Sequence, residues 1–347
     1  MKKVKWGVIG CGGIADRRTI PGMMEARNAE LIAVMDSNIE SAERVKEKYG
    51  AKYAFDKAED LLALDEIEAV YIASPVFCHS EQVKMTAKAK KHILLEKPMG
   101  LDALEAEKID EICKSEGVKL GVGLMMRFAG FHQKLRELIS DGVLGEIVSA
   151  RAQFTCWFPK MENNWRQQKH LSGGGALMDL GVHAIDLIRY ITGLEVTEVA
   201  AMAGNQIFDY EVEDAGSVIM RLSNGATAYV DANFNVPDSA SVSKFEIYGT
   251  KGSICLYNTL SQVDGGEIEM IISGDSAGYD AMQKRDDTKT EDVEVEFGNM
   301  YTREIEAFSD AIINDTEVLI TAKDGIIAQK IVEGAYKSST EGKFVKI

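Results

Sequence analysis

Val8-Ile9-Gly10-Cys11-Gly12-Gly13-Ile14-Ala15 ends a short apolar run that begins at Lys5 and turns abruptly through glycine. The spacing is GxGxxA. Gly10 suits a tight turn, Gly12 leaves room for a group to approach the backbone, and Ala15 is small enough for a helix to pack closely on a strand. Free amides at the start of that helix carry partial positive charge, so the turn is suited to a pyrophosphate, with Gly10, Gly12, Gly13 and Ile14 around it. A second strand, Ala29 to Met35, follows and ends in Asp36. A carboxylate there can accept both hydroxyls of an adenosine ribose and repels a 2′-phosphate. The expected cofactor is therefore NAD, with weaker NADP tolerance left open by Ser37 and Asn38. An ordinary glycine turn with Asp36 as a strand-end cap is the bland alternative.

The same alternation continues outward from this stretch. Helical character over Ser41–Tyr49, His79–Lys90 and Asp102–Glu116 separates strand-like segments at Glu68–Ile72, His92–Leu95 and Val118–Gly123. Crossover helices of this kind cover the faces of a parallel sheet. After residue 123 the pattern changes. A helix near Phe131–Ser140 and another over Ala176–Ile191 are followed by alternating segments at Val196–Ala203, Ala215–Leu222, Thr227–Phe234, Ser243–Gly249 and Ser253–Tyr257. The expectation is an α/β Rossmann domain over residues 1–123, then an α+β domain over 124–347 with a large, mainly antiparallel, open-faced sheet. Asn258–Glu291, rich in Gly, Asp and Ser, reads as strand, turn and mobile loop, and helices at Tyr301–Ile313 and Ala322–Ser338 finish the chain.

Composition limits the function. The 347 residues are 46% hydrophobic and carry a net charge of −16, which repels polyanions and argues against a nucleic-acid binder. The basic start, Met1 to Trp6, leads into an apolar run too short for a signal peptide or membrane span, so a cytoplasmic protein with no membrane role is expected. Five separate cysteines without a CxxC pair fit a reducing compartment and give no metal or redox signature.

Three further segments carry chemistry. Ser74-Pro75-Val76-Phe77-Cys78-His79 follows a strand and faces the expected ligand crevice, where Ser74, Pro75 and His79 are candidates for cofactor contact; His79 serves equally well as a helix cap. Glu96-Lys97-Pro98 ends the next strand: Lys97 can present an ammonium to a substrate oxygen, and Glu96 can receive ribose hydroxyls. In Gly173-Gly174-Gly175 and the helix behind it, Asp179 and His183 stand four residues apart, a spacing that lets the carboxylate orient an imidazole for proton transfer. The structural alternative is an Asp179 cap and a core His183.

Together, Gly10 to Ala15, Glu96-Lys97-Pro98, Asn164-Trp165-Arg166 and Gly173-Gly174-Gly175 with Asp179, Gly181, His183 and Asp186 give a chain that resembles the Gfo/Idh/MocA oxidoreductase family over nearly its whole length; Gly249-Thr250-Lys251-Gly252-Ser253 looks like a recurrent turn of its second domain. The resemblance implies Lys97, Asp179 and His183 as catalytic residues, a sugar- or inositol-like polyol as substrate, and a homodimer or homotetramer formed through the second-domain sheet. Arg127, Trp165, Arg166 and His170 are candidate substrate contacts. Two positions depart from the family pattern, Val76 where an asparagine is common and Met126 where a polar residue is common. Transient oxidation leading to glycoside cleavage, and a nonenzymatic sensor of sugar or cofactor, are the competing functions.

Overall fold

The computed structural model describes residues 2–273, 281–282, 288–291 and 293–347. Six strands form the first sheet: β1 (Val4–Ile9), β2 (Ala29–Met35), β3 (Tyr53–Phe55), β4 (Ala69–Ile72), β5 (His92–Glu96) and β6 (Leu120–Gly123). All pair in parallel, in the order β3-β2-β1-β4-β5-β6. Every residue of β4 is buried, as a central strand covered on both faces requires. Strand order reverses between β1 and β4, so the loops leaving their carboxyl ends diverge and open a crevice between them.

Among the described residues nine strands form the second sheet: β7 (Ile147–Thr155), β8 (Val196–Gly204), β9 (Ala215–Leu222), β10 (Thr227–Asn233), β11 (Lys244–Gly249), β12 (Gly252–Tyr257), β13 (Glu267–Ser273), β14 (Thr288–Glu291) and β15 (Val345–Lys346). Their order is β14-β13-β12-β11-β7-β10-β9-β8-β15. Neighbours run antiparallel except β7 and β10, which are parallel. Central β7 went unread in the sequence because Arg151 and Gln153 interrupt its apolar positions, yet Ala150 and Ala152 are fully or almost fully buried. Of the Gly-, Asp- and Ser-rich stretch 258–291, residues 274–280 and 283–287 lie outside the described residues; the remainder includes β13 and β14.

The chain's end returns to the first sheet. Helix Met300–Ile313 packs Phe308 on Trp6 with ring centroids 5.5 Å apart, and the Trp6 indole N–H donates to Ser309 Oγ at 3.1 Å. Ile305 and Phe308 share a buried cluster with Val4, Val8 and Leu94. Helix Ala322–Glu341 begins with a capping box of Thr321 and Asp324 and reaches the first domain through Gln329, whose amide donates to the Gly100 carbonyl at 2.7 Å. The layer that completes the first domain's core is thus far from it in sequence. Among the described residues no helix is long and apolar enough to cross a membrane.

The returning helix also brings in an uncompensated acid. Glu304 is 3% exposed and, among the described residues, neither carboxyl oxygen has a hydrogen-bond partner; burial first, and the Glu96 charge second, push its pKa well above the usual carboxylate range. A folded-state pKa raised above the unfolded value makes stability fall as pH rises from about 4.5. Glu304→Gln removes that dependence. Its unfolding free energy, from urea denaturation, should exceed that of the parent by about 1 to 3 kcal/mol at pH 8 and by much less at pH 5. An equal effect at both pH values would show that Glu304 ionisation is not the source.

Candidate active site

At the carboxyl end of β1 the chain turns at Gly10, with φ of +78°, and the Gly10 and Cys11 amides donate to the Met35 carbonyl at 2.9 and 3.1 Å. A Cβ on Gly10 would lie 2.5 Å from the Ser74 nitrogen, so no larger residue fits between the two loops. Above Gly13 the space is open, with nothing among the described residues within 4 Å of a Cβ position. Asp36 stands beside this turn: Oδ2 is 3.4 Å from where a Gly12 Cβ would sit, while Oδ1 accepts the Asn38 amide at 3.1 Å. An open glycine cradle with a carboxylate at its rim fits a dinucleotide, the pyrophosphate over the turn and the ribose at Asp36.

The crevice deepens into a cavity of about 300 Å³ between the two sheets, reached by Ile14, Ser74, His79, Glu96, Lys97, Trp165, Arg166, Asp179 and His183. Lys97 follows β5, and its ammonium donates to Asp179 Oδ1 at 2.6 Å and to the Asp179 carbonyl at 3.0 Å. Asp179 keeps 38% of its side chain open to the cavity but is ringed by protein. Burial opposes its ionisation; Lys97 and then Arg166 overcome this and hold the carboxyl down at about 2. Asp179 lies in a wide π-helical turn, Leu177–Gly181, that runs into helix Val182–Thr192, a local distortion frequent at functional sites.

His183 is 4% exposed, and its buried Nδ1 has no hydrogen-bond partner among the described residues. The expected Asp179–His183 hydrogen bond is therefore not formed. Charge decides the pairing: a carboxylate gains more from an ammonium 2.6 Å away than from a neutral imidazole one turn along its helix. Burial and then the Lys97 charge push the His183 pKa well below its ordinary value, so the ring is neutral at neutral pH.

Other candidates are placed differently. His79 is 1% exposed, with Nε2 3.0 Å from the Ser74 carbonyl and Nδ1 3.1 and 3.2 Å from those of Pro98 and Met99. It ties the loop after β4 to the turn after Lys97, where the Lys97–Pro98 peptide is cis. Pro75 starts that loop behind Ser74 and is not on the cavity wall. Glu96 accepts from its neighbour's amide, Lys97 N–H, at 3.2 Å and from the Tyr71 hydroxyl, which in turn accepts from Thr19 Oγ1 at 2.9 Å. Both its oxygens are thus already partly engaged.

Two expected substrate contacts need correction. Arg127 is 6% exposed and its guanidinium is taken up by Asp186 and Asp324, away from the cavity wall. His170 is a surface residue whose side chain is 68% exposed, with Glu211 3.9 Å away. The sequence also left Tyr301, Gln262 and Arg17 unread, although all three border the cavity. Tyr301 and Gln262 arrive from distant parts of the chain, and no local spacing marks them. The glycines at 174 and 175 are required by neighbouring protein, Tyr336 and the Glu213 carbonyl, which a Cβ would strike. Glu213 was missed as well: its carboxylate accepts the Gly175 and Leu177 amides, both at 2.9 Å, and caps the turn that carries Asp179.

Residues 4–124 match an oxidoreductase family described by its NAD-binding Rossmann fold, and residues 136–347 match the C-terminal alpha/beta domain of the same family. The chain belongs to the Gfo/Idh/MocA oxidoreductases, and is a nicotinamide-nucleotide-dependent enzyme of the dehydrogenase and reductase type. It is 25% identical to the 1,5-anhydro-D-fructose reductase of Ensifer adhaerens over 99% of this chain and 98% of that protein. Identity to the myo-inositol 2-dehydrogenase of Thermotoga maritima is 28%, over 98% of each. Aldose-aldose oxidoreductase from Caulobacter crescentus shares the fold with a TM-score of 0.87 at 24% identity, covering 100% of both chains.

Proposed function

We propose that the chain uses NAD(H) to move hydride between nicotinamide and a carbinol or carbonyl carbon of a sugar, sugar derivative or inositol-like polyol. The observation that carries this reading is the Lys97–Asp179 pair beside a neutral, buried His183 in a cavity that opens onto the glycine turn. Bound nicotinamide supplies the hydride acceptor in oxidation and the donor in reduction. In oxidation the neutral His183 takes the hydroxyl proton as the carbon–hydrogen bond breaks, and a carbonyl forms. Lys97 donates a hydrogen bond to the substrate oxygen as charge develops there, and Asp179 holds the ammonium in place. Reduction reverses the proton and hydride flow. The test is a panel of inositols, free sugars and glycosides, read by NADH absorbance and product mass together. NADH formed in step with a ketone or lactone supports the reading, whereas an aglycone released without net NADH would replace it with glycoside cleavage through transient oxidation.

NAD is proposed over NADP because Asp36 follows β2 beside the glycine turn, where a carboxylate suits a ribose diol and repels a 2′-phosphate, and because Arg44 and Lys48 are engaged elsewhere. Arg44 and Lys48 both pair with Asp16, at 2.9 and 2.8 Å. Asp36→Ala should raise the activation free energy behind kcat/KM with NAD by roughly 1 to 3 kcal/mol and narrow the NAD-to-NADP ratio. A parent enzyme that prefers NADP would overturn the assignment.

A cytoplasmic homodimer or homotetramer is the proposed assembly. Its contact surface is the outer face of the second sheet, where Met202, Ile219 and Tyr229 are 83, 45 and 37% exposed. Light scattering on the purified protein would decide the number of subunits, and a monomer would remove the proposal.

A further inference from the structure

Two acids come together at the cavity. Glu96 ends β5 and is on the cavity wall; Glu304, on helix Met300–Ile313, is set back from it, one turn after Tyr301, which is also on the wall. Among the described residues both Glu304 carboxyl oxygens and the Tyr301 hydroxyl are buried without a hydrogen-bond partner. A second cavity, of about 10 Å³, touches Glu304, and its other lining side chains, Leu94, Val122 and Phe308 among them, are all apolar. It has room for at most one water and gives that water no other polar side chain. The helix is fixed in place: Thr302 Oγ1 donates to the Gly22 carbonyl at 2.9 Å, and a Cβ on Gly22 would lie 2.8 Å from the Thr302 nitrogen. An uncompensated acid held this firmly lowers stability, and departures of this kind gather at functional sites.

Among the described residues no cation pairs with Glu304, and the charge that reaches it is that of Glu96. Two buried carboxylates so coupled resist being ionised together. The other ionisable groups on the surrounding elements act elsewhere. Tyr71 on β4 donates to Glu96, Lys97 acts on Glu96, and Arg17 and Arg18, after the glycine turn, act on Tyr301. Asp16 is held by Arg44 and Lys48, Lys5 on β1 by Glu66, and Glu25 by Asn299 and Thr302. Arg127 is taken up by Asp186 and Asp324, and Arg303 by the Phe128 and Glu296 carbonyls; Glu30 on β2 is exposed.

Hydride transfer beside Lys97 and His183 brings the nicotinamide into the cavity that Glu96 borders, and that ring is cationic in NAD+ and neutral in NADH. We infer that Glu96 and Glu304 share a proton that they release when the bound ring is cationic, so that Glu304, acting through Glu96, sets the enzyme's preference between the oxidised and reduced cofactor. The inference rests on the NAD(H) reading above. A positive ring favours ionised carboxyls, so NAD+ binding sends a proton from the pair to solvent, and NADH binding does not. Lower pH returns the proton and weakens NAD+ binding selectively. Because burial raises Glu304, the response lies above the ordinary carboxylate range. Asp179, held down at about 2, and the neutral His183 add no slope there.

The experiment measures Kd for NAD+ and for NADH from about pH 6 to about pH 9, with proton release read by calorimetry in buffers of different ionisation heat. In the parent the ratio of the NAD+ to the NADH constant should fall about fivefold or more as pH rises, and NAD+ binding should release a fraction of a proton that NADH binding does not. Glu304→Gln keeps the neutral form, so its ratio should stay within about twofold of the parent's lowest-pH value, without the extra proton. The variant is expected to be more stable than the parent at high pH, so a lost response is not misfolding. NADP+ and NADPH differ by the same ring charge and serve equally. A flat ratio in the parent, or the same slope in Glu304→Gln, would overturn the shared proton and leave the oxidoreductase reading intact. Binding of neither couple would overturn both.

Discussion

His183→Ala should slow hydride transfer by about 10²- to 10⁴-fold while NAD binding persists. The cofactor contacts proposed at Gly10, Gly12, Gly13 and Asp36 lie on another part of the cleft, so the substitution removes the proton acceptor without touching them. Because burial and Lys97 depress the His183 pKa, the imidazole is already unprotonated at neutral pH and remains so well below pH 6.5. The parent's oxidation rate should therefore stay flat from neutral pH down through that range as far as His183 determines it. Single-turnover NADH formation, cofactor binding and thermal unfolding, measured on the same preparation, separate a chemical defect from a folding one. Near-normal single-turnover rates in a folded, NAD-bound variant, with hydride transfer limiting, would remove His183 from the proton-transfer role. Lys97→Ala and Asp179→Asn should be far from additive, since Asp179 acts through the ammonium it holds.

Most of the scaffold was legible because its signals are local. The glycine turn, Asp36 at the end of β2 and the strand–helix alternation up to Gly123 specify a doubly wound sheet, and the periodic segments of the second half locate β8 to β12 within a residue or two. What escaped depends on partners far apart in the chain. Asp179 and His183 read as a pair because they are four residues apart, but the stronger partner for Asp179 is Lys97, 82 residues earlier. Helix Met300–Ile313 reads correctly as a helix, yet nothing in its own pattern says that it covers β1. Glu213 and Tyr301 lie in segments with no motif, and reach the site region only once both sheets are assembled.

Arg127 shows the same limit most sharply, and its replacement has the largest expected cost to stability. Its side chain is 7% exposed, and that of Asp186 2%. The guanidinium Nε donates to Asp186 Oδ2 at 2.8 Å, and Nη2 bonds both the other Asp186 oxygen and Asp324 Oδ1, the latter at 2.9 Å. These contacts join the turn Met125–Phe128, helix Val182–Thr192 and helix Ala322–Glu341, the elements that lock the end of the first sheet onto the second domain. Arg127→Met keeps much of the volume but leaves Asp186 buried without its cation, so unfolding free energy should fall by about 3 to 5 kcal/mol. Burial already raises the Asp186 pKa despite Arg127, and losing the guanidinium must raise it further. A raised folded-state pKa means stability lost with rising pH, so the deficit should be larger at pH 8 than at pH 5. Arg127→Met with Asp186→Leu, which removes both buried charges of the main pair, should recover part of the loss. Denaturant unfolding at the two pH values decides the matter: a variant as stable as the parent, with a raised KM as its only defect, would return Arg127 to the substrate site.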